Sequence, residues 1–373
     1  MAIINIAASH RFHLLDLARE LEKQGHDVKF YSYLPKKRLL KYGLKKEHFI
    51  SLFWITSPFL FLEKISKNSR WATYLKFIFL DILMSLIMRK CDIYIALGCV
   101  YLNSIKVAKK KYNAKTILEW GSKHIFEEIN AITPTPTSKI SKDFLHCRSI
   151  KGYEISDYIA IPSIHVFESF IKNNISSNKL IINPYGVDTK MFYATKLEKN
   201  HFDLIMVGGW SYRKGCDKII KIMESNPDLS FLHVGSIVDL EFPNFNNMKH
   251  INSVDQIELI NYYSKAKVFI LLSRTEGLAM VQVQALACGL PIVCSKNTGG
   301  EDLHNLLEDK EWIKIVENID DENEILDKVK QALIKSKLQP QPRSYGNNNL
   351  DYFSWNLYGE RYSIFIKKIN NET

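Results

Sequence analysis

The sequence predicts an α/β protein of two domains, each built on a parallel sheet, and three observations lead there. Ile3-Ile4-Asn5-Ile6-Ala7 is a strand-like run followed by a helical stretch and a second strand-like run, a β-loop-α-β unit of about 30 residues that implies a right-handed crossover. A second alternation of the same kind begins at Leu204-Ile205-Met206-Val207. The length, 373 residues, exceeds what one core usually takes, since domains hold roughly 100–200 residues.

In the first half, the opening strand leads through the loop Ala8-Ser9-His10 into a helix expected from Phe12 to Gln24, closed by Gly25, with Ser9 placed to cap it. Val28 to Tyr31 is the second strand, and further strands are expected at Ile93-Tyr94-Ile95, Thr116-Ile117-Leu118 and Tyr158 to Ile161. Leu180-Ile181-Ile182-Asn183 ends the first domain. Pro184-Tyr185-Gly186-Val187-Asp188 is punctuated like a hinge.

Strands of the second half are expected at Leu204 to Val207, Phe231 to Val234, His250-Ile251, Val268 to Leu272 and Ile292-Val293. Residues 317–348 are charged and then rich in Pro and Asn, the pattern of a helix followed by a connecting loop. Trp355, Tyr358, Tyr362 and Phe365 recur at helical spacing in the last segment.

The densest information lies in Thr275-Glu276-Gly277-Leu278-Ala279-Met280 and its continuation through Gln284 to Gly289-Leu290-Pro291. A buried strand meets a glycine turn at Gly277 and then a helix that Gly289 caps and Pro291 ends. Free amides at such a helix start can hold phosphate or sugar oxygens. Glu276 in the turn and Gln284 about two turns on can both face the crevice beyond the strand's carboxyl end. A second segment, Gly208-Gly209 and then Arg213-Lys214-Gly215, follows the Val207 strand and brings two cations to a loop. A third, Glu119-Trp120-Gly121-Ser122-Lys123-His124-Ile125, follows the Thr116 strand.

These segments resemble the retaining glycosyltransferases of family 4. The first matches that family's E-x7-E region, with Gln284 in place of the second Glu. The second resembles its phosphate loop, with Gly209 in the usual Arg position, and Pro184 to Asp188 resembles its N-G-V-D connector. Asn297-Thr298-Gly299-Gly300-Glu301-Asp302 is similar to its G-G-x-x-E element.

The resemblance implies the GT-B fold: two Rossmann-like, doubly wound domains with a donor cleft between them and a C-terminal helix crossing back to the first. Residues 1–185 would form the acceptor-binding domain, 186–348 the nucleotide-sugar-binding domain and 349–373 the returning helix. It implies that Glu276 binds donor sugar hydroxyls, Gln284 the ribose, and Arg213 and Lys214 the diphosphate. Gly208 and Gly209 would belong to the donor loop, and the amides of Gly277, Leu278 and Ala279 would meet donor oxygens. His124 would stand at the donor sugar near the acceptor, and Ser9 and His10 would form the acceptor or phosphate loop. The implied activity is retaining, metal-independent sugar transfer from a nucleotide diphosphate sugar to a glycan or lipid-linked acceptor, in bacterial surface polysaccharide or lipopolysaccharide synthesis. No cofactor beyond the co-substrate is expected, and the chain carries no D-x-D string or zinc-like histidine spacing. Two alternatives are a donor-binding but inactive partner subunit, because Gln284 and Gly209 depart from the pattern, and a GT-B sugar-nucleotide epimerase, against which the E-G-L segment and its C-G-x-P tail argue.

Charge adds a partner. The formal net charge is +10, but residues 1–185 carry 28 Lys and Arg against 15 Asp and Glu, whereas residues 186–373 carry 22 against 25. Lys36-Lys37-Arg38, Lys41, Lys45-Lys46, Arg89-Lys90 and Lys109-Lys110-Lys111 recur beside apolar stretches such as Phe53-Trp54-Ile55 and Phe59 to Leu62. That pairing suits an anionic membrane surface or an acidic acceptor. No nucleic-acid-binding signature accompanies it. Six cysteines without C-x-x-C spacing fit a reducing cytosol. Residues 2–8 are a short apolar run without a basic start and the apolar run Leu75 to Met88 is broken by Lys76 and Asp81, so neither a signal peptide nor a membrane span is expected, and the protein should be cytoplasmic, either soluble or peripheral on the inner face of the plasma membrane.

Overall fold

The computed structural model describes residues 1–40, 42–66, 70–132, 143–199, 201–340, 343 and 350–371. Lys41 and residues 344–349 of the expected connecting loop lie outside them. In the first half the strands are β1 (Ile3–Ala7), β2 (Asp27–Ser32), β3 (Phe49–Ser51), β4 (Ile93–Leu97), β5 (Lys115–Glu119), β6 (Tyr158–Ile161) and β7 (Leu180–Ile182). Its helices are α1 (Leu14–Lys23), α2 (Lys36–Leu40), α3 (Phe53–Ile65), α4 (Arg70–Ile87), α5 (Leu102–Tyr112), α6 (Ile125–Ile132), α7 (Phe144–Ile155) and α8 (Ile164–Lys172). The second half holds β8 (Phe202–Val207), β9 (Phe231–Val234), β10 (Met248–Ile251), β11 (Ala266–Leu271), β12 (Ile292–Ser295) and β13 (Ile313–Val316). Around them lie α9 (Cys216–Ser225), α10 (Leu259–Tyr263), α11 (Met280–Ala287), α12 (Gly300–Leu306), α13 (Glu322–Lys337) and α14 (Trp355–Asn371).

The strands assemble into two parallel sheets, in the orders β3-β2-β1-β4-β5-β6-β7 and β10-β9-β8-β11-β12-β13. Burial on both faces explains their composition: Ile4 and Ile6 of β1 and Val268, Phe269, Ile270 and Leu271 of β11 are fully buried. Strand order reverses between β1 and β4 in one sheet and between β8 and β11 in the other. At such a switch point successive crossovers leave on opposite faces, and a crevice opens beyond the strands' carboxyl ends. The two-sheet architecture is the one the sequence predicts.

Several local features depart from the sequence reading. Helix α1 starts at Leu14 rather than Phe12, because Phe12 sits at φ +38°, outside helical geometry. Strands β3 and β13 were not anticipated; each has only three or four residues, and polar side chains interrupt their apolar pattern. The aromatic stretch after residue 52 and the apolar run from 70 form an antiparallel helical pair, α3 and α4. The polar breaks in that run point inward. Asp81 is fully buried and accepts from the amides of Asn103 and Ser104 and from Arg148, while Lys76 pairs with Glu63 at 2.6 Å.

Helix α14 returns to the first sheet and packs on α1. Arg361 donates to Asn183 Oδ1 (2.7 Å) and to the Pro184 carbonyl, and His26 Nε2 lies 2.8 Å from Ser363 Oγ. Val187 pairs with Ser354 in an isolated bridge, so the outgoing and returning connections run side by side. The close crossing has one requirement: a Cβ at Gly359 would lie 2.3 Å from Glu20 Cβ. Ala in a helix interior ordinarily improves on Gly by up to about 1 kcal/mol. At this contact the sign should reverse, and Gly359→Ala should lower the unfolding free energy by about 1–3 kcal/mol in denaturant titration. A rise in stability would show that α14 is not held this tightly.

Candidate functional site

The two sheets face each other across a cavity of about 750 Å3 lined by residues that follow strand ends: Ser9 to His13 after β1, Leu97 to Val100 after β4, Glu119 to Ser122 at β5, Lys214 beyond β8, and Glu276 with Leu278 to Val281 and Gln284 beyond β11. Both switch points open into it.

Its charged centre belongs to the second domain. One Glu276 carboxylate oxygen, Oε1, accepts from Arg213 (2.6 Å) and from Lys214 Nζ (2.6 Å), with Ser273 Oγ at 3.4 Å. Arg213 also donates to the Thr275 carbonyl at 2.9 Å. The loop that carries both cations closes on Gly215, whose φ of +70° favours glycine and whose Cβ would meet the Leu272 carbonyl oxygen at 2.0 Å. The Glu276 backbone is pinned as well. Its amide donates to the Asn297 carbonyl, and its carbonyl accepts from His165 Nε2 at 2.9 Å.

That last bond crosses between domains, and others reinforce it. Ser163 Oγ donates to the Gly277 carbonyl at 3.1 Å, Lys123 donates to Asn297 Oδ1 at 2.7 Å, and Asp302 accepts from the Ile164 amide at 2.6 Å. Gly277 is required for a reason other than the sharp turn expected of it. Its φ is not positive, but a Cβ there would stand 1.9 Å from the Gly121 carbonyl oxygen of the first domain.

The sequence-predicted residues separate into two groups. Glu276, Lys214, Gln284, Leu278, Ala279, Ser9 and His10 line the cavity, and Arg213 joins them through Glu276. Gln284 is buried, and its Oε1 accepts from the Tyr263 hydroxyl at 3.3 Å. Its amide nitrogen bonds to no described residue. Ala279 is on the wall, but its amide already donates to the Thr298 carbonyl at 3.2 Å, so of the three expected amides only that of Leu278 is both on the wall and without a backbone partner among the described residues. Gly208, Gly209 and Gly277 are not on the wall. Gly208 follows β8 with its carbonyl accepting from His233 Nε2 (2.8 Å), and a Cβ on Gly209 would strike Val238.

His124 is placed differently from the expectation that it meets the donor sugar. It is buried, packed edge-on or tilted among Phe126, Tyr153 and Phe170, and is not on the cavity wall. Its carbonyl and Nδ1 accept from the Glu128 and Phe126 amides, so it closes the first turn of α6. Burial lowers its imidazole to a pKa of about 4, which keeps it neutral.

The first-domain wall instead presents His13, Glu119 and Glu128. His13 Nε2 and Glu119 Oε2 are 2.9 Å apart, both buried, with the Tyr185 ring 4.3 Å from the imidazole. Burial holds the Glu128 carboxyl above its ordinary range; Arg213 and a hydrogen bond from Ser122 oppose this, and Glu276 reinforces it. His10 lies 2.5 Å from the Tyr33 hydroxyl, its pKa lowered by burial and by Lys76. Sequence reading quoted Glu119 without a role and passed over His13, Glu128, Ser163 and His165. Ser163 and His165 matter through the meeting of two domains, and His13 through Glu119, distant in sequence within the same domain, so none of them leaves a local pattern.

Residues 188–349 match the family described as glycosyl transferases group 1. The chain is 25% identical over 244 residues to an uncharacterized glycosyltransferase of Methanocaldococcus jannaschii, a match covering 60% of this chain and 64% of the relative. It is also 25% identical over 248 residues to a GDP-mannose-dependent monoacylated alpha-(1-6)-phosphatidylinositol monomannoside mannosyltransferase of Corynebacterium glutamicum, covering 57% of this chain and 62% of that one. The chain thus spans less than two thirds of these curated relatives. Among solved structures, a sucrose-phosphate synthase from Thermosynechococcus elongatus superposes over 100% of both chains with a TM-score of 0.69 at 14% identity, a likeness of fold. Residues 188–349 therefore match the glycosyl transferases group 1 family, within a chain whose two parallel sheets have the GT-B architecture of its structural neighbours.

Proposed function

We propose that this protein transfers a sugar from a nucleotide diphosphate sugar to a glycan or lipid-linked acceptor, with retention of configuration and without a metal ion, in bacterial surface polysaccharide or lipopolysaccharide synthesis. The observation that carries the reading is the Arg213–Glu276–Lys214 cluster at the mouth of the second-domain switch point. Its match to the group 1 family and the GDP-mannose dependence in the name of the Corynebacterium relative support the donor class.

In this reading the diphosphate lies against Lys214 and Arg213, and the amide of Leu278 faces the donor. As the bond from the anomeric carbon to phosphate oxygen breaks, negative charge grows on the leaving diphosphate, and two fixed cations stabilise it more than they stabilise the ground state. The acceptor hydroxyl attacks the same face, its oxygen bonds the anomeric carbon, and its proton passes to the leaving phosphate oxygen. Glu276, released from part of its cation pairing by the incoming phosphates, turns its carboxylate to donor sugar hydroxyls. Gln284 offers its amide nitrogen to the ribose as an uncharged donor.

A membrane-borne acceptor is supported by α3 and α4. Trp54, Phe61 and Ile65 on one helix and Trp71, Leu75, Ile82 and Leu86 on the other are exposed, Trp54 by 83% and Leu86 by 77%. On α4 these recur at intervals of four and seven residues, a single stripe, while the polar Lys76 and Asp81 face inward. Among the described residues no helix is long and apolar enough to cross a membrane. A pair of helices with this arrangement can lie in the interface of an anionic bilayer.

Two measurements test the proposal. A panel of UDP-, GDP- and TDP-sugars should contain at least one that raises the melting temperature by mass action. With that donor, transfer should persist in EDTA and fall by about 10²-fold or more in Lys214→Ala. Loss of activity on chelation, restored by magnesium or manganese, would contradict metal-free transfer.

For the membrane, the protein should sediment with anionic liposomes. Replacing Trp54, Phe61 and Leu86 by Ser should reduce that sedimentation without changing nucleotide affinity. Wild-type protein that ignores anionic liposomes at low salt would leave a water-soluble acceptor as the reading.

A further inference from the structure

A second cavity, of about 710 Å3, adjoins the first and shares His10, Arg11, Phe12 and Gln256 with it. Its remaining wall brings Leu34, Arg38 and Tyr42 from the first domain against Val254 and Asp255 from the loop after β10. Nothing in the donor chemistry described above uses it.

Two arginines define its character. The Arg11 guanidinium lies 3.5 Å over the Tyr42 ring and donates to Gln256 Oε1 at 3.0 Å, so it is held across the domain boundary. Its carboxylate contact is long, 3.5 Å to Asp16, because Asp16 is engaged at 2.8 Å by Arg19. Its Nε is buried and has no hydrogen-bond partner among the described residues. Arg38 is exposed, and among the described residues no carboxylate pairs with it. Lys36 and Lys37 stand on the same short helix, α2, and Asp255 is the one acid on the wall.

Phe12 marks the junction. It lies on both cavities at φ +38°, a conformation that a bulky side chain rarely adopts, with half of its side chain exposed. The second cavity therefore joins aromatic faces, Phe12 and Tyr42, to planar cationic donors. That combination suits a molecule with a ring or chain and an anionic head, since the guanidinium fork matches carboxylate and phosphate oxygens.

We propose that this second cavity is an acceptor subsite for an anionic group, phosphate or carboxylate, held by Arg38 and Arg11 while the acceptor hydroxyl reaches the first cavity past Phe12. The inference rests on the sugar-transfer reading and narrows its acceptor to an acidic one. It also assigns a role to part of the basic surface of the first half.

The test is calorimetric titration of the full chain, with and without a saturating nucleoside diphosphate that occupies the Lys214 site. Glucose 6-phosphate and glucuronate are compared with glucose, and decyl phosphate with decanol, so that a soluble anion and a lipid phosphate are read separately. At least one anionic ligand should bind about tenfold more tightly than its neutral counterpart, the scale of one charge-assisted hydrogen-bonded contact. Arg38→Gln should erase most of that preference and leave nucleotide affinity unchanged; Arg38→Lys should restore part of it. Equal binding of charged and neutral ligands, no binding of any anionic ligand, or an anion preference indifferent to Arg38 would overturn the proposal. Nucleotide binding that survives such a result would leave the sugar-transfer reading standing. Absence of nucleotide binding would instead remove that reading, with the anion preference still measured in the nucleotide-free titration.

Discussion

One carboxylate oxygen shared by two cations is the interaction on which the rest of the site depends. Arg213 and Lys214 are adjacent in sequence and both reach Glu276 Oε1 at 2.6 Å in a partly buried setting. Two like charges so close would repel each other and pay for desolvation without a counter-charge between them. Glu276 supplies that counter-charge and leaves the cluster with one net positive charge. The position of Glu276 is itself fixed by the first domain, through His165 on its carbonyl and through Gly277, which only a residue without a side chain can bring against Gly121. Charge and domain contact thus converge on two consecutive residues.

The first domain follows a different logic. Its wall is formed by titratable groups held by near neighbours: His13 with Glu119, His10 with Tyr33, and a buried Glu128 that accepts from Ser122. Behind that wall, α4 is turned so that Lys76 and Asp81 face the protein and Trp71, Leu75, Ile82 and Leu86 face outward. Buried charges need partners, and both have them, in Glu63 and Arg148. The outward stripe has no such constraint within the chain, which is why an outside surface is the natural complement to it.

What the sequence made legible was the part governed by local rules. Continuous apolar runs marked the central strands, and Gly25 and Gly289, both in the left-handed region, ended the helices expected to precede them. That Glu276, Lys214 and Gln284 line one cavity was readable because they stand at fixed offsets from a strand end. His124 has the spacing of a site residue for the same reason, an imidazole at a strand–helix junction, whereas its burial among Phe126, Tyr153 and Phe170 depends on contacts that spacing does not show. His165 owes its role to Glu276, and Arg11 part of its role to Gln256, each more than 100 positions away, and no window of sequence contains such pairs. The apolar stripe was visible as composition, but its outward direction depended on knowing that Lys76 and Asp81 were the buried ones.

The most direct measurement is the affinity of the matching free nucleoside diphosphate for Glu276→Gln, taken together with turnover. If Glu276 holds Arg213 and Lys214 in reserve for the diphosphate, removing its charge should leave that affinity equal or severalfold higher, because the cations are no longer shared. Turnover should nevertheless fall by about 10²-fold or more, because the carboxylate is lost to the donor sugar in the transition state. Weakened nucleotide binding alongside normal turnover would contradict the account and make Glu276 a structural clamp for the loop.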